Sequence, residues 1–103
     1  MALVPTHRSP VRPGEVLVEE FLEPLEITQV GLAERLGITF QTVNAIVNGR
    51  RSITPNTALR LARVFGTSPT FWLNLQLTWD LYKAMHSEEA ASIAKLKPIA
   101  ATA

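Results

Sequence analysis

The stretch QVGLAERLGITFQTVNAIVN, residues 29–48, decides how this chain folds. Apolar residues recur three and four apart on both sides of Gly37, which is helical spacing. Gly37-Ile38-Thr39 interrupts the pattern. Glycine tolerates the left-handed backbone of a sharp turn, and the Thr39 hydroxyl can cap free N–H groups of the next helix. The reading is two short helices, over 29–36 and 40–48, lying back to back. Ala33 is small where such helices approach most closely. Val43 and Ile46 of the second helix oppose Leu32 and Leu36 of the first, and Phe40 and Val47 share their core-like spacing. The rest of the second helix, Gln41, Thr42, Asn44, Ala45 and Asn48, is short, uncharged and rich in amide and hydroxyl groups.

Such side chains suit the edges of base pairs. An amide can form two hydrogen bonds to adenine, and threonine or alanine can touch a thymine methyl. The expectation is a helix that enters the major groove of double-stranded DNA with its N-terminal residues nearest the bases. Arg50 and Arg51 follow directly, beside Asn48, where they can neutralise phosphates flanking the groove. Gln29, at the positive end of the preceding helix, is a further phosphate candidate.

Working outward, the same punctuation recurs. Ile27-Thr28, Ile38-Thr39 and Ile53-Thr54 each set an isoleucine before a capping threonine. Leu32 and Val43 stand where each can meet its preceding isoleucine in a hydrophobic staple, and Pro55 suits the first position of a helix. Gly37, Gly49 and Gly66 each follow an apolar-periodic stretch, as helix stops do. Gly31 is a local misfit inside a helix. Upstream, Pro13 opens a helix carrying Val16, Leu17, Val18, Phe21, Leu22 and Leu25, which Pro24 is expected to end or bend near Glu23. Downstream, Ser68-Pro69 opens a fifth helix to about Met85, and a weak helix over 88–96 is expected before a frayed tail over 98–103. With no alternating run long enough for a paired strand, the fold class is all-α, five helices with a possible short extra one. The organisation expected is a flexible arm over 1–12, one domain over 13–86 and a partly disordered extension over 87–103.

A chain of 103 residues with 47% hydrophobic residues fits a single globular domain. The absence of cysteine removes disulfides, thiolate metal sites and cysteine nucleophiles. Prolines and polar residues near the N-terminus interrupt any signal-peptide core, and no stretch of about 18 apolar residues exists to span a membrane. A cytoplasmic setting is expected. His7 and His86 sit far apart, neither beside clustered carboxylates. Ser9, Ser52 and Ser68 lack a partnering base, and no phosphate-cradling glycine loop is present. No enzyme activity, cofactor or metal is expected.

The net charge of +1 says little, but its distribution says more. From Arg35 to Trp79 there are five arginines (Arg35, Arg50, Arg51, Arg60, Arg63) and no acid, whereas residues 13–34 hold six glutamates and no base. One face should be positive and another negative. The fifth helix carries four of the seven aromatics, Phe71, Trp72, Trp79 and Tyr82, with Leu73, Leu75, Leu77 and Leu81 between them. It is apolar on more than one side. Either the core of its own chain or a second copy covers the excess. A two-fold homodimer through Phe71, Trp72, Leu75, Trp79 and Tyr82 would set two reading helices about 34 Å apart, matching a palindromic site.

Several residue strings, in this order, resemble the HigA-type antitoxins, a branch of the lambda-repressor-like helix-turn-helix superfamily. They are Pro13-Gly14-Glu15-Val16-Leu17 with Glu20-Phe21-Leu22-Glu23-Pro24-Leu25; Leu32-Ala33-Glu34-Arg35-Leu36-Gly37-Ile38; Gln41-Thr42-Val43; Asn48-Gly49-Arg50-Arg51; Ala58-Leu59-Arg60-Leu61-Ala62; and Ser68-Pro69 with Phe71-Trp72-Leu73-Asn74-Leu75-Gln76. The resemblance implies an antitoxin that represses its own operon and binds a small HigB-like toxin that cleaves messenger RNA. It also implies that Thr39, Phe40, Gln41 and Thr42 occupy base-reading positions and Gln29 a phosphate-contacting one. Relatives often carry a polar residue, frequently arginine, where this chain has Phe40. That ring either packs on a thymine methyl or closes the helix pair internally. The acidic first helix, with Glu15, Glu19, Glu20 and Glu23, is the candidate toxin surface through charge complementarity, with a merely solvated helix as the alternative. The residues also fit a free-standing dimeric repressor with no toxin, or an interaction module that no longer touches DNA.

Overall fold

A computed structural model describes residues 9–100 of the chain, and every regular element among them is a helix. Helix α1 is continuous through three segments: Pro13–Val16, Leu17–Leu22 with the wider π turn, and Glu23–Leu25. It is followed by α2 (Gln29–Leu36), α3 (Phe40–Val47), α4 (Pro55–Phe65), α5 (Pro69–Met85) and a short α6 (Ala90–Ala94). The extra C-terminal helix is thus present but shorter than its sequence pattern. Residues 1–8, which hold most of the expected arm and His7, and the tail residues 101–103 lie outside the described residues. No helix among the described residues is long and apolar enough to cross a membrane.

The helix boundaries follow from local chemistry. Thr28, Thr39, Thr54 and Ser68 each accept a hydrogen bond from the backbone N–H three residues on, so every helix from α2 to α5 starts on a side-chain cap. Gly37 ends α2 in the left-handed region at φ 71°, donating to the carbonyls of Ala33 and Glu34. Pro24, expected to end or bend α1 near Glu23, lies inside its last turn. The helix runs on to Leu25 and reverses at Glu26, φ 55°. The π segment explains this, since Glu23 N–H reaches back five residues to the Val18 carbonyl. In that wider register the proline ring escapes the carbonyl it would otherwise strike. Leu25, expected on the apolar stripe, is exposed at this end.

The core is one cluster. Leu17 and Leu22 of α1 meet Leu32, Ala33 and Leu36 of α2, Val43 and Ile46 of α3, Ala58 and Leu61 of α4, and Trp72 of α5. Trp72 is 0% exposed, and its Nε1 donates to Thr67 Oγ1 at 2.7 Å. Arg60 of α4 is drawn inward as well. Its Nη1 donates to the Leu36 carbonyl at 2.7 Å, capping the end of α2 from across the fold. Arg60 was expected on the positive face. Its guanidinium instead answers a helix carbonyl, where a cation is favoured.

The start of α1 sits on the end of α3. Gly14 is buried, and a Cβ placed on it would lie 2.5 Å from the Val47 carbonyl oxygen and 2.6 Å from that of Ile46. Only a residue with no side chain lets the two backbones approach this closely. This contact holds the start of α1 against the last turn of α3, just before the loop that follows.

Candidate nucleic-acid interface

Helix α3 divides by face as its periodicity predicts. Val43 and Ile46 are buried against α2, and Val47 packs at the core margin. Gln41 is exposed, and its amide has no partner among the described residues. Thr42 and Ala45 are half-buried beside it. Thr39 caps the helix by accepting from Thr42 N–H at 3.1 Å, and the two hydroxyls share a 2.9 Å hydrogen bond. Phe40 departs from its core-like spacing and is 42% exposed. Ile38 takes the apolar slot at the turn and packs against the core. Phe40 therefore does not close the helix pair internally.

The polar side chains on this surface form a chain of bonds that only the tertiary structure reveals. Asn44 Nδ2 donates to Gln29 Oε1 at 3.0 Å, tying α3 to the first turn of α2. Asn44 Oδ1 accepts from Asn48 Nδ2 at 3.1 Å and from Arg50 Nη2 at 3.3 Å. Asn44, expected among the base-reading residues, thus has both ends of its amide engaged. It links three residues expected to meet phosphates: Gln29, Asn48 and Arg50. A side chain held at both ends orients its neighbours, and ordering paid before binding need not be paid during it.

The loop after α3 is equally constrained. Gly49 turns through the left-handed region at φ 75°, and the N–H groups of Arg50 and Arg51 both donate to the Ala45 carbonyl, at 2.8 and 3.2 Å. Both arginines remain exposed. Ile53 then enters the core, and its N–H donates to Gln76 Oε1 at 2.8 Å. Gln76 is buried on α5, and its Nε2 donates to Asp80. Gln76, in sequence only the end of a family-like string, anchors the arginine loop to α5. Its signal was available: Gln76 stands one helical turn from Trp72, a polar residue at a core position.

The aromatic residues of α5 separate into two groups. Trp72, expected at a dimer interface, belongs instead to the intramolecular core, with ring centroids 4.9 Å from Phe21, 5.0 Å from Phe71 and 6.0 Å from Phe65. Leu75 also packs against that core. Phe71 and Leu75 line a shallow groove with Pro10 and Val11 of the same chain. The physical reason is that α1 and α4 bring Phe21 and Phe65 to this face of α5, which periodicity within α5 cannot register. Trp79 and Tyr82 are half-buried and stacked at 5.9 Å. On the outward side, Leu77, Leu81 and Met85 form an exposed stripe at four-residue spacing.

The acidic face is on α1. Glu19, Glu20 and Glu23 are exposed. Glu15 differs, because its carboxylate accepts from both the backbone N–H and Nε of Arg12, the latter at 3.2 Å. Among the described residues this is the one ion pair.

Known proteins are similar to this chain in sequence and fold. A family model described as helix-turn-helix matches residues 18–72. The antitoxin HigA-1 of Vibrio cholerae is 42% identical, over 88% of this chain and 88% of its own length. An HTH-type transcriptional regulator of Haemophilus influenzae is 45% identical over 88% of this chain and 86% of its own. Among solved structures, Pseudomonas aeruginosa antitoxin HigA with the higBA promoter superposes with a TM-score of 0.81 at 38% identity, covering 87% of this chain and 98% of that one. The antitoxin GraA in complex with its operator gives 0.84 at 36% identity, covering 97% of this chain and 100% of that one.

Proposed function

This chain belongs to the helix-turn-helix family, in its HigA antitoxin branch, and from that premise we propose that it binds operator DNA as a homodimer, represses its own operon and neutralises a HigB-like toxin. The observation that carries the DNA reading is the exposed first turn of α3 beside a pre-bonded polar surface. Gln41 is free to meet a base edge, while Asn44 holds Gln29, Asn48 and Arg50 in one bonded group. In this reading Gln41, Thr42 and Ala45 face bases, and Thr39 sets the start of the helix. Phe40, solvent-exposed, lies on a thymine methyl. Gln29, Asn48, Arg50 and Arg51 grip the backbone, and Asn44 positions them. The solved promoter and operator complexes of similar antitoxins support DNA as the partner.

Replacing Gln41 with alanine is expected to cost about 1–3 kcal/mol on the true operator and to relax sequence preference. The measurement is a titration of labelled promoter fragment beside a scrambled duplex. Equal loss on both duplexes would remove the base-reading assignment. Arg50→Ala or Arg51→Ala should weaken both duplexes alike.

The dimer contact moves outward along α5 from the positions periodicity favours. Leu77, Leu81 and Met85, flanked by Trp79 and Tyr82, are apolar and only partly covered by their own chain, Met85 beside Ile93 of α6, and isologous dimers are the commonest assemblies. The toxin surface is the unpaired acidic stretch of α1. Reversing Glu19 and Glu20 to lysine is expected to weaken capture of the basic toxin while leaving the melting temperature unchanged. Undiminished toxin capture by that variant would sink the electrostatic assignment.

A further inference from the structure

Beneath the end of α3 lies a cleft of about 140 Å³. Four cations line it: Arg12 from the start of α1, Arg50 and Arg51 from the loop after α3, and Lys83 from the last turn of α5. Ser52 adds a hydroxyl and Trp79 an indole wall, and no acidic side chain lines the space. Part of that charge answers the carbonyls of Ile46 and Val47, which face Gly14 at the end of α3. A helix C-terminus carries only about half a negative charge. The carboxylate of Glu15, bonded to Arg12, removes one cation's worth more. A surplus of more than two positive charges remains around one small volume, and like charges held together call for an anion.

We propose that this cleft seats a phosphate of the DNA backbone, and that Arg12 and Lys83, both outside the helix-turn-helix, are phosphate ligands. The ligand chemistry is a phosphate oxygen set, which guanidinium, ammonium and hydroxyl donors all suit. Its source is the duplex because the cleft is continuous with the reading surface: Arg50 lines it and also bonds Asn44 at 3.3 Å. The proposal rests on the DNA-binding reading above and widens the footprint from one side of α3 to the junction of three helices. Lys83 lies well downstream of the reading helix, which explains why sequence spacing alone does not single it out.

The test uses the full chain with two labelled duplexes, one from immediately upstream of its own coding sequence and one scrambled, titrated over a series of salt concentrations. Lys83→Ala is expected to lower the slope of log affinity against log salt by about one on both duplexes. The melting temperature should stay as in the parent, because Lys83 is exposed. Lys83→Arg should restore the slope, and adding Arg12→Gln to Lys83→Ala should weaken both duplexes further while the slope falls by no more than about one in all, because the two side chains share one phosphate. An unchanged slope for Lys83→Ala, with the parent still binding, overturns the proposal and leaves the base-reading assignment standing. If inorganic phosphate stabilises the parent but not Lys83→Ala while the slope is unchanged, the cleft takes a free anion and the duplex assignment is again overturned. If the parent binds neither duplex, the DNA-binding reading fails and takes this one with it.

Discussion

Trp72→Ala is expected to lower unfolding free energy by about 3–5 kcal/mol, the usual loss when a buried aromatic is cut to a methyl. That is a large part of the stability of a domain this size, about 5–15 kcal/mol. Three terms act together. Trp72 is fully buried among Phe21, Phe65 and Phe71, so its removal opens a cavity that helices from three parts of the chain border. The aromatic edge contacts go with it. The Thr67 hydroxyl loses the indole N–H that it accepts at 2.7 Å. Trp72→Phe should lose markedly less, because it keeps most of the packing and gives up the hydrogen bond. Denaturant unfolding monitored by far-UV circular dichroism measures both. The loss should be independent of protein concentration, since the residue stabilises the single chain. A loss that vanished on dilution would return Trp72 to an interface between copies.

The second large effect is expected at Gly14. Adding a single methyl there puts a carbon 2.5 and 2.6 Å from two backbone carbonyl oxygens of α3. Backbone cannot step aside by changing rotamer, so α1 must lift off the end of α3 or α3 must shift. Overpacking of this kind costs about 1–3 kcal/mol. The consequence reaches the nucleic-acid surface, because the loop bearing Arg50 and Arg51 hangs from the Ala45 carbonyl in the last turn of α3. Gly14→Ala should therefore reduce both the melting temperature and the affinity for promoter DNA, although Gly14 itself is buried. Normal stability in that variant would mean that α1 does not rest on α3.

These two sites differ in how far they could be read beforehand. The reading helix was legible because its signals are local. Thr39 caps it, Gly37 precedes it, and Val43 and Ile46 recur at helical spacing, so neighbouring residues carry the whole message. Gly14 was visible only as one glycine in a family-like string. Its meaning is a steric contact with residues 46 and 47, which no local pattern encodes. Trp72 is legible as an apolar residue on a crowded helix, yet periodicity leaves its cover open between its own chain and a second copy. The covering rings, Phe21 and Phe65, arrive from α1 and α4, and their arrival depends on the packing angles of whole helices. Pro24 is a milder case, because the helix stops at Leu25, within two residues of the position the proline marks. Proline's local preference is real, and the π turn upstream of it lets the helix continue just past it.

By itself the sequence determined the order of the helices, the side-chain caps of α2 to α5 and the glycine stop of α2, the split of α3 into a packed and a polar face, and the segregation of acids from arginines. Each of these depends on residues within one or two turns of one another, where backbone geometry already sets who can meet whom. Only the tertiary structure decided that Asn44 is bonded at both ends, that Gln76 anchors the arginine loop, that Arg60 caps a distant helix and that Trp72 lies inside. Those outcomes require partners brought together from 15 to 24 positions away or from different helices. A hydrogen bond or a buried ring is specified by distances of a few ångströms that sequence separation does not contain.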